Sequence, residues 1–170
     1  MKKTILTLCL ALSLAAPALS VQAASQAEID QAIKVLQQSS SQGLVDRYSL
    51  ADLERIIKAE GYSSVTTKGD NKVVFKSDGH IFSLFLYKDG DLQIYFGAQG
   101  VKVTTDDINK WNKEHRLSRA YLDDDGDLAL EADMFANGGL NEKMVKALVS
   151  IFVNTSVPAF IEFAKEHDKS

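Results

Sequence analysis

Two Asp-Gly pairs, Asp78-Gly79 and Asp89-Gly90, restrict the fold more than any other feature of the chain, because they interrupt runs of strand-forming residues. An Asp-Gly pair between such runs favours a two-residue type I′ hairpin turn, in which both central residues have positive φ. A two-residue turn at Asp78-Gly79 pairs Phe75 with Phe82. The pattern predicts an antiparallel β-meander across the middle of the chain.

The second turn decides which side chains share a face of this sheet. A two-residue turn there pairs Phe85 with Ile94 and Tyr87 with Leu92, so that Phe96 joins them on one face. Both faces of the central strands are then apolar, whereas an antiparallel sheet with one face in water alternates apolar and polar residues. We therefore expect both faces to be covered, by helices of the chain or by a partner.

Capping residues and apolar spacing predict four helices around the strands. The predicted helices cover 25–38, 49–61, 104–115 and 142–167, with Ser25, Ser49, Thr104 and Asn141 at their N-termini. Pro158 predicts a kink or a break near Ser156 in the last helix. The predicted core stripe of that helix consists of Met144, Leu148, Ile151, Phe152 and Thr155.

An acidic stretch, 121-YLDDDGDLALEAD-133, has the appearance of a calcium loop. With Gly126 as the turn glycine, however, Tyr121 and Ala132 take the first and twelfth ligand positions, and neither offers a carboxylate. A two-residue hairpin turn at Asp125-Gly126 explains more of the stretch, and it places Tyr121 and Leu130 on the core side. Glu131 and Asp133 then point to the opposite, solvated face. We predict a hairpin in preference to a metal site.

The first 23 residues have the layout of a secretory signal peptide. Lys2 and Lys3 precede an apolar run that is too short to cross a bilayer, and small residues at 21–23 offer a cleavage site. The sequence therefore predicts a signal peptide over 1–23, a leading helix and linker over 24–43, and an α+β domain over 44–170. The expected location is periplasmic or secreted. No later apolar run is expected to reach spanning length, and none is expected to enter a membrane.

Composition excludes several classes of function for the exported chain. Without Lys2 and Lys3, the 19 basic residues fall to 17 against 23 acidic ones, which argues against binding to nucleic acid. Cys9 lies within the signal peptide, so the exported chain has no thiol for catalysis, disulfides or metal binding. The three histidines are not at metal-ligand spacing. We expect no cofactor, no metal site and no catalytic residues.

The second half of the chain resembles the YbjN family of bacterial sensory transduction regulators. The resemblance is carried by 108-INKWNKEHRLSRAYLDDDGDLALEADM-134, by Gly138-Gly139 and by the apolar helix that follows, and it covers about residues 45 to 165. The family is similar in fold to type III secretion chaperones. The resemblance implies an antiparallel sheet flanked by helices that binds proteins and often dimerises, without catalytic residues.

The function expected from the sequence is binding of a protein or peptide, including a second copy of the chain. Two alternatives stay open: a small-ligand or envelope-stress sensor with an apolar pocket between the sheet and the final helix, and a hydrolase or metalloenzyme. For Trp111 and Asn112 a packing role, with the indole in the core and the amide holding the loop, competes with a recognition role. The candidate partner-binding residues are Phe85, Tyr87, Ile94, Phe96, Trp111, Asn112, Arg119 and Tyr121.

Expression of the full chain in a bacterium that exports proteins tests the signal peptide. We expect the processed protein to begin at Ala24, within about two residues, because the small residues at 21–23 fit the cleavage site. Intact-mass spectrometry of the periplasmic fraction measures this. An unprocessed chain that stays in the cytoplasm would contradict the prediction.

Overall fold

The computed structural model describes residues 29–31, which are helical, and residues 43–168, which form the domain considered below. The predicted signal peptide and most of the predicted leading helix lie outside the described residues. Residues 43–168 form six strands and four α-helices. In chain order these are α1 (Leu50–Ala59), β1 (Ser63–Lys68), β2 (Lys72–Ser77), β3 (His80–Leu86), β4 (Leu92–Ala98), α2 (Thr105–Glu114), β5 (Arg119–Leu122), β6 (Leu128–Met134), α3 (Glu142–Ile151) and α4 (Val157–His167). A π-helical turn (Phe152–Ser156) joins α3 to α4.

The strands form one antiparallel sheet in the order β1-β2-β3-β4-β6-β5. The first four strands are a meander, and the β5–β6 hairpin adds to its edge through β6. This arrangement confirms the predicted α+β class, an antiparallel meander and a hairpin flanked by helices.

The turn between β2 and β3 is the one that the sequence predicted. Phe75 pairs with Phe82, and both turn residues have positive φ, 46° at Asp78 and 80° at Gly79. These are the angles of a type I′ turn, whose twist matches that of the flanking strands.

The turn between β3 and β4 was predicted wrongly by one residue. Tyr87 donates its amide to the carbonyl of Asp91, 2.9 Å away, so the loop has three residues and ends at Gly90 with φ 97°. This is a turn followed by a left-handed residue, the usual three-residue hairpin loop. Ile94 therefore pairs with Leu84 instead of Phe85.

A shift of one residue moves every side chain of a strand to the other face. Ile94 and Phe96, which we expected on the outer face, are instead buried in the core on the side of the helices. The prediction of two apolar faces was wrong for the same reason, since the correct register collects the apolar residues of β4 with those of β2 and β3.

The β5–β6 turn differs from its prediction in the same way. The amide of Asp123 donates to the carbonyl of Asp127, and Gly126 ends a three-residue loop with φ 79°. Tyr121 consequently pairs with Ala129 and faces away from the core, whereas the two-residue turn placed it inward beside Leu130.

The helices begin where their capping residues predicted. Ser49 and Asp52 form a capping box on α1, Thr104 and Asp107 form one on α2, and the Asn141 side chain accepts the amide of Met144 at the start of α3. Each cap satisfies amides that have no partner inside the helix.

The helices within residues 43–168 all contribute to one core on one face of the sheet. From the helices the core contains Leu53, Ile56, Ile57, Ile108, Trp111, Val145, Val149, Phe152, Phe160 and Phe163, and from the strands it contains Val73, Phe75, Phe82, Leu84, Leu92, Ile94, Phe96, Leu128 and Leu130. The sheet is thus covered by helices on one side.

The long C-terminal helix is interrupted as Pro158 predicted. Proline has no amide to donate to residue 154, and the preceding segment widens into a π-turn in which Val157 donates to Phe152. The predicted core stripe was correct for Phe152 and for half-buried Leu148, which packs against the core, but it missed Val145 and Val149, which are buried. Met144, Ile151 and Thr155 are exposed instead, so α3 carries apolar residues on two sides.

The run Glu142–His167 is long enough to cross a membrane, with 26 residues and a mean hydropathy of 1.6 in its most apolar window. The expectation that no later run reaches spanning length was therefore wrong. In the domain this run packs its inner side against the sheet, through residues such as Phe152 and Phe160. A core helix satisfies the same length and composition as a membrane span.

Gly90 and Gly126 occupy the same position in their three-residue loops but have different surroundings. A Cβ at Gly90 would lie 2.6 Å from the carbonyl oxygen of Asp46, whereas a Cβ at Gly126 would have no atom within 4 Å. We expect Gly126→Ala to lower the free energy of unfolding by about 1–2 kcal/mol, through its positive φ alone. Gly90→Ala should cost about 3 kcal/mol or more, because the clash adds to the same strain.

Urea denaturation of both variants, followed by circular dichroism, measures this difference. Equal losses of stability would show that the contact between Gly90 and Asp46 has no energetic role.

Candidate functional site

The second face of the sheet carries the candidate site. No helix within residues 43–168 contributes a buried side chain to this face, and most of its side chains are partly or fully exposed. They combine aromatic, aliphatic and charged groups: Val74, Ile81, Ser83, Phe85, Gln93, Tyr95, Arg119, Tyr121, Glu131 and Asp133. We call this surface the open face.

A hydrogen-bonded row runs across the open face from β3 to β6. The Tyr87 hydroxyl donates to Gln93 Oε1 at 2.9 Å, and Gln93 Nε2 donates to Asp133 Oδ1 at 2.9 Å. The Arg119 guanidinium lies 3.6 Å from Asp133 Oδ2. Each side chain in the row thereby restricts the rotamers of the next, so that the row is preorganised.

Glu131 lies at the end of this row and is only 4% exposed. Its carboxylate accepts hydrogen bonds from Arg119 and from the Tyr121 hydroxyl, the latter at 2.9 Å. A carboxylate is buried at tolerable cost only when charged and polar groups satisfy it, and Arg119 and Tyr121 do so here. Arg119 itself keeps 61% of its side chain exposed and can contact a partner.

The surroundings of Glu131 change the ionisation of its neighbours. Burial, the hydrogen bond to Glu131 and the negative charge of that residue raise the pKa of Tyr121 well above its ordinary value. The hydrogen bond to Glu131 raises the pKa of Arg119. Burial also raises the pKa of Tyr87 and of Tyr95. The phenols of the open face are therefore neutral hydrogen-bonding groups at physiological pH.

Four of the eight residues predicted to bind a partner lie together on this side of the sheet: Phe85, Tyr87, Arg119 and Tyr121. Three do not, since Ile94, Phe96 and Trp111 are buried in the core. The register error explains the placement of Ile94 and Phe96. Trp111 is 1% exposed and packs against Phe160 and Phe163, as the packing interpretation expected.

Asn112 holds the outer edge of β5. Its amide nitrogen donates to the carbonyl of Ala120 at 3.0 Å, and its oxygen accepts the amide of Ala120 at 2.8 Å. The side chain thus takes the place of a neighbouring strand, which protects an edge that could otherwise pair with another chain.

Sequence reasoning did not select Gln93, Tyr95, Glu131 or Asp133 as site residues. The alternation of β6 placed Glu131 and Asp133 opposite Leu130, which is correct, but Glu131 was expected to be solvated. The signal that could have identified it is the cross-strand position of Arg119, which becomes visible only with the correct hairpin register.

The acidic loop uses its carboxylates to stabilise the turn. Asp123 Oδ1 accepts the amides of Asp125 and Asp127, at 3.1 and 2.9 Å. Asp127 in turn accepts the amide of Gly100. The predicted hairpin therefore accounts for the position of these side chains, and no group of metal-binding side chains occurs within the described residues.

The structure defines the class of protein as a small α+β domain with a one-sided antiparallel sheet. The family model YbjN, described as "Putative bacterial sensory transduction regulator", matches residues 49–164. The chain belongs to this family, which confirms the resemblance seen in the sequence.

Among solved structures, the chain is similar to the type III secretion chaperone SycH of Yersinia pestis, which was crystallised in complex with a stable fragment of YscM2. The sequences are 18% identical, the match covers 64% of this chain and 97% of SycH, and the TM-score is 0.47. No match was found among curated protein sequences.

The raised pKa of Tyr121 predicts a loss of stability in alkali. An unfolded tyrosine ionises near pH 10, whereas folded Tyr121 holds its proton to higher pH. Its contribution is fully present below about pH 10 and is lost as the pH rises from there toward the folded pKa. We expect the free energy of unfolding of Tyr121→Phe to fall less steeply above about pH 10 than that of the wild type.

Urea denaturation of both proteins between about pH 8 and pH 12 measures the two slopes. At neutral pH, Tyr121→Phe should cost about 1–3 kcal/mol, since Glu131 loses a donor. Parallel pH profiles would show that the phenol ionises alike in the folded and unfolded chains.

Proposed function

We propose that this chain is an exported, non-enzymatic member of the YbjN family that acts by binding a polypeptide on the open face of its sheet. It works in the periplasm or outside the cell, without membrane insertion. The observation that carries the proposal is the one-sided sheet, which keeps aromatic and charged side chains on a surface that no helix within residues 43–168 covers.

The composition of the open face is suited to protein binding. Ile81 is 57% exposed and Tyr87 is 44% exposed, and partly exposed Phe85 lies between them on β3. Tyrosine and arginine are enriched at protein interfaces, where they combine apolar contact area with directed hydrogen bonds. Arg119 adds a charged group that Glu131 already orients.

The alternative of a small-ligand sensor has less support. It requires an apolar pocket between the sheet and the final helix. Two clefts of about 270 and 440 Å³ open there, but both are lined in part by charged side chains such as Lys165. Aromatic side chains fill the interior of the same layer. Phe82 contacts Phe96 and Phe152, and Phe160 contacts Phe96 and Trp111. Close-packed rings of this kind favour a core over a ligand cavity.

Catalysis also has less support than binding. His115 stacks on Trp111 with ring centroids 3.6 Å apart, and its Nδ1 lies 3.2 Å from the Trp111 carbonyl. The carboxylate of Asp123 is engaged by the amides of its own turn. His115 and Asp123, two candidate groups for acid–base catalysis, are therefore each engaged in local structure.

Photo-crosslinking in living cells tests this proposal. A photoreactive phenylalanine replaces Ile81 or Phe85 on the open face, and a control replaces Lys110, which is exposed on α2. We expect cross-linked protein from the two open-face positions and little from Lys110. Mass spectrometry of the product distinguishes a different partner from a second copy of the chain.

Equal cross-linking from all three positions would indicate contact by chance. If none of the three positions gives a cross-linked product, the proposal that the open face is a binding surface is contradicted.

A further inference from the structure

A groove of about 400 Å³ lies beside the last residues of β6, at the margin of the open face. One wall is formed by Leu117 and Ser118, which precede β5, and another by Leu148 and Ile151 of α3. Phe135, which is 75% exposed, and Leu117, which is 68% exposed, stand at its rim. Exposed apolar residues that cluster around one groove mark an interaction site.

The groove occupies the position of a missing strand segment. β6 pairs with β4 from Ala98↔Leu128 to Leu92↔Met134, but its ladder with β5 ends at Arg119↔Glu131. The last three residues of β6 thus have a strand on one side only. In the register of β5 the residue opposite Asp133 would be Leu117.

Leu117 leaves the sheet because of its backbone conformation. Its φ is +67°, a left-handed angle that costs a leucine about 1–2 kcal/mol. The chain is therefore turned away from β6 at the point where it would otherwise continue the ladder. Backbone strain of this kind is concentrated at functional sites.

The backbone of Asp133 points into the groove. In an antiparallel ladder, hydrogen-bonded pairs alternate with pairs that are not bonded to each other. The bonded turn pair Asp123–Asp127 therefore implies bonded pairs at Ala129 and Glu131. The next residue of this set is Asp133, whose amide and carbonyl are directed to the side where β5 has ended.

We propose that this end of β6 binds an extended segment of a partner protein as an added strand, antiparallel to β6, with a basic side chain opposite Asp133 between two apolar side chains. The basic side chain lies on the open face, next to Asp133 and Gln93. Its apolar neighbours lie opposite Ala132 and Met134 and enter the groove against Leu148 and Ile151 of α3. Strand addition of this type obtains affinity from the backbone and specificity from alternate side chains.

Charge complementarity selects the basic residue. Two carboxylates, those of Glu131 and Asp133, share one guanidinium, and Arg119 gives its hydrogen bond to Glu131. The site next to Asp133 is therefore negative. A lysine or arginine directly across the strand pair is favourable there, and an acidic residue is unfavourable.

The same charge argues against a second copy of the chain as the occupant. Antiparallel pairing of two β6 ends about a two-fold axis at Asp133 would put Asp133 directly opposite Asp133. Like charges in a cross-strand pair are destabilising. The inference rests on the proposed protein-binding function and adds to it the chemistry of the bound segment.

Nuclear magnetic resonance titration of the exported chain with short peptides tests the inference. The probe is a seven-residue peptide, Ser-Gly-Val-Lys-Val-Gly-Ser, and the charge control has Glu in place of Lys. We expect the probe to shift the amide signals of Ala132, Asp133 and Met134, and to bind at least about fivefold more tightly than the Glu peptide. A third peptide carries a methyl group on the backbone nitrogen of its lysine, so that this residue cannot donate a hydrogen bond to the Asp133 carbonyl. This peptide should leave the amide signals of β6 unshifted.

Two variants identify the groups involved. Asp133→Asn removes the charge with little change of shape, and the Lys and Glu peptides should then bind within about twofold of each other. Ile151→Ser should weaken both peptides, whereas Met144→Ser, on the same helix but outside the groove, should not.

Several results would overturn the inference. One is a Lys peptide that leaves the β6 signals unchanged, and another is equal binding of the N-methylated peptide. Concentration-dependent shifts of the β6 amides without peptide would identify a second copy as the occupant. Cross-linking from Ile81 and Phe85 could persist in the Asp133→Asn and Ile151→Ser variants while no peptide shifts the β6 amides. In that case the proposed function stands and this inference is wrong.

Discussion

The three-residue loops at 88–90 and 124–126 determine which side chains of the sheet face the core, because loop length sets the register of the paired strands. With one residue fewer in the first loop, Ile94 and Phe96 would turn away from the helices and the core would lose both side chains. The extra residue gathers the apolar side chains of four strands on one face. The alternate residues of the same strands, polar and aromatic, then form the open face.

Local signals predicted the parts of the fold that depend on neighbouring residues. The Asp78-Gly79 turn and the helix caps at Ser49, Thr104 and Asn141 were all predicted correctly for this reason. An Asp-Gly pair fits two-residue and three-residue loops equally well, since glycine adopts positive φ in both. At Gly90 the carbonyl of Asp46, which is distant in the sequence, approaches closely, and no pattern in the residues around Gly90 reveals this contact.

The part of the site that could be predicted consists of residues whose type alone suggests an interface. Phe85, Tyr87, Arg119 and Tyr121 were selected as aromatic or basic residues near the hairpins, and they lie together on the open face. From the sequence, Glu131 is expected at the surface because carboxylates are rarely buried. Its burial depends on two donors from the adjacent strand, and their alignment requires the register that the sequence left ambiguous.

Side chains protect both outer strands of the sheet, and this makes the end of β6 unusual among the described residues. Asn112 bonds the backbone of β5 at Ala120, and Glu54 accepts the amide of Thr67 on β1. Such protection prevents unselective pairing of exposed strands. The end of β6 has instead an apolar groove, a strained residue at Leu117 that turns the chain away from β6, and the exposed carboxylate of Asp133. In the proposed strand addition, an edge that is accessible but bordered by a negative charge and a shaped groove admits few sequences, which makes the interaction selective.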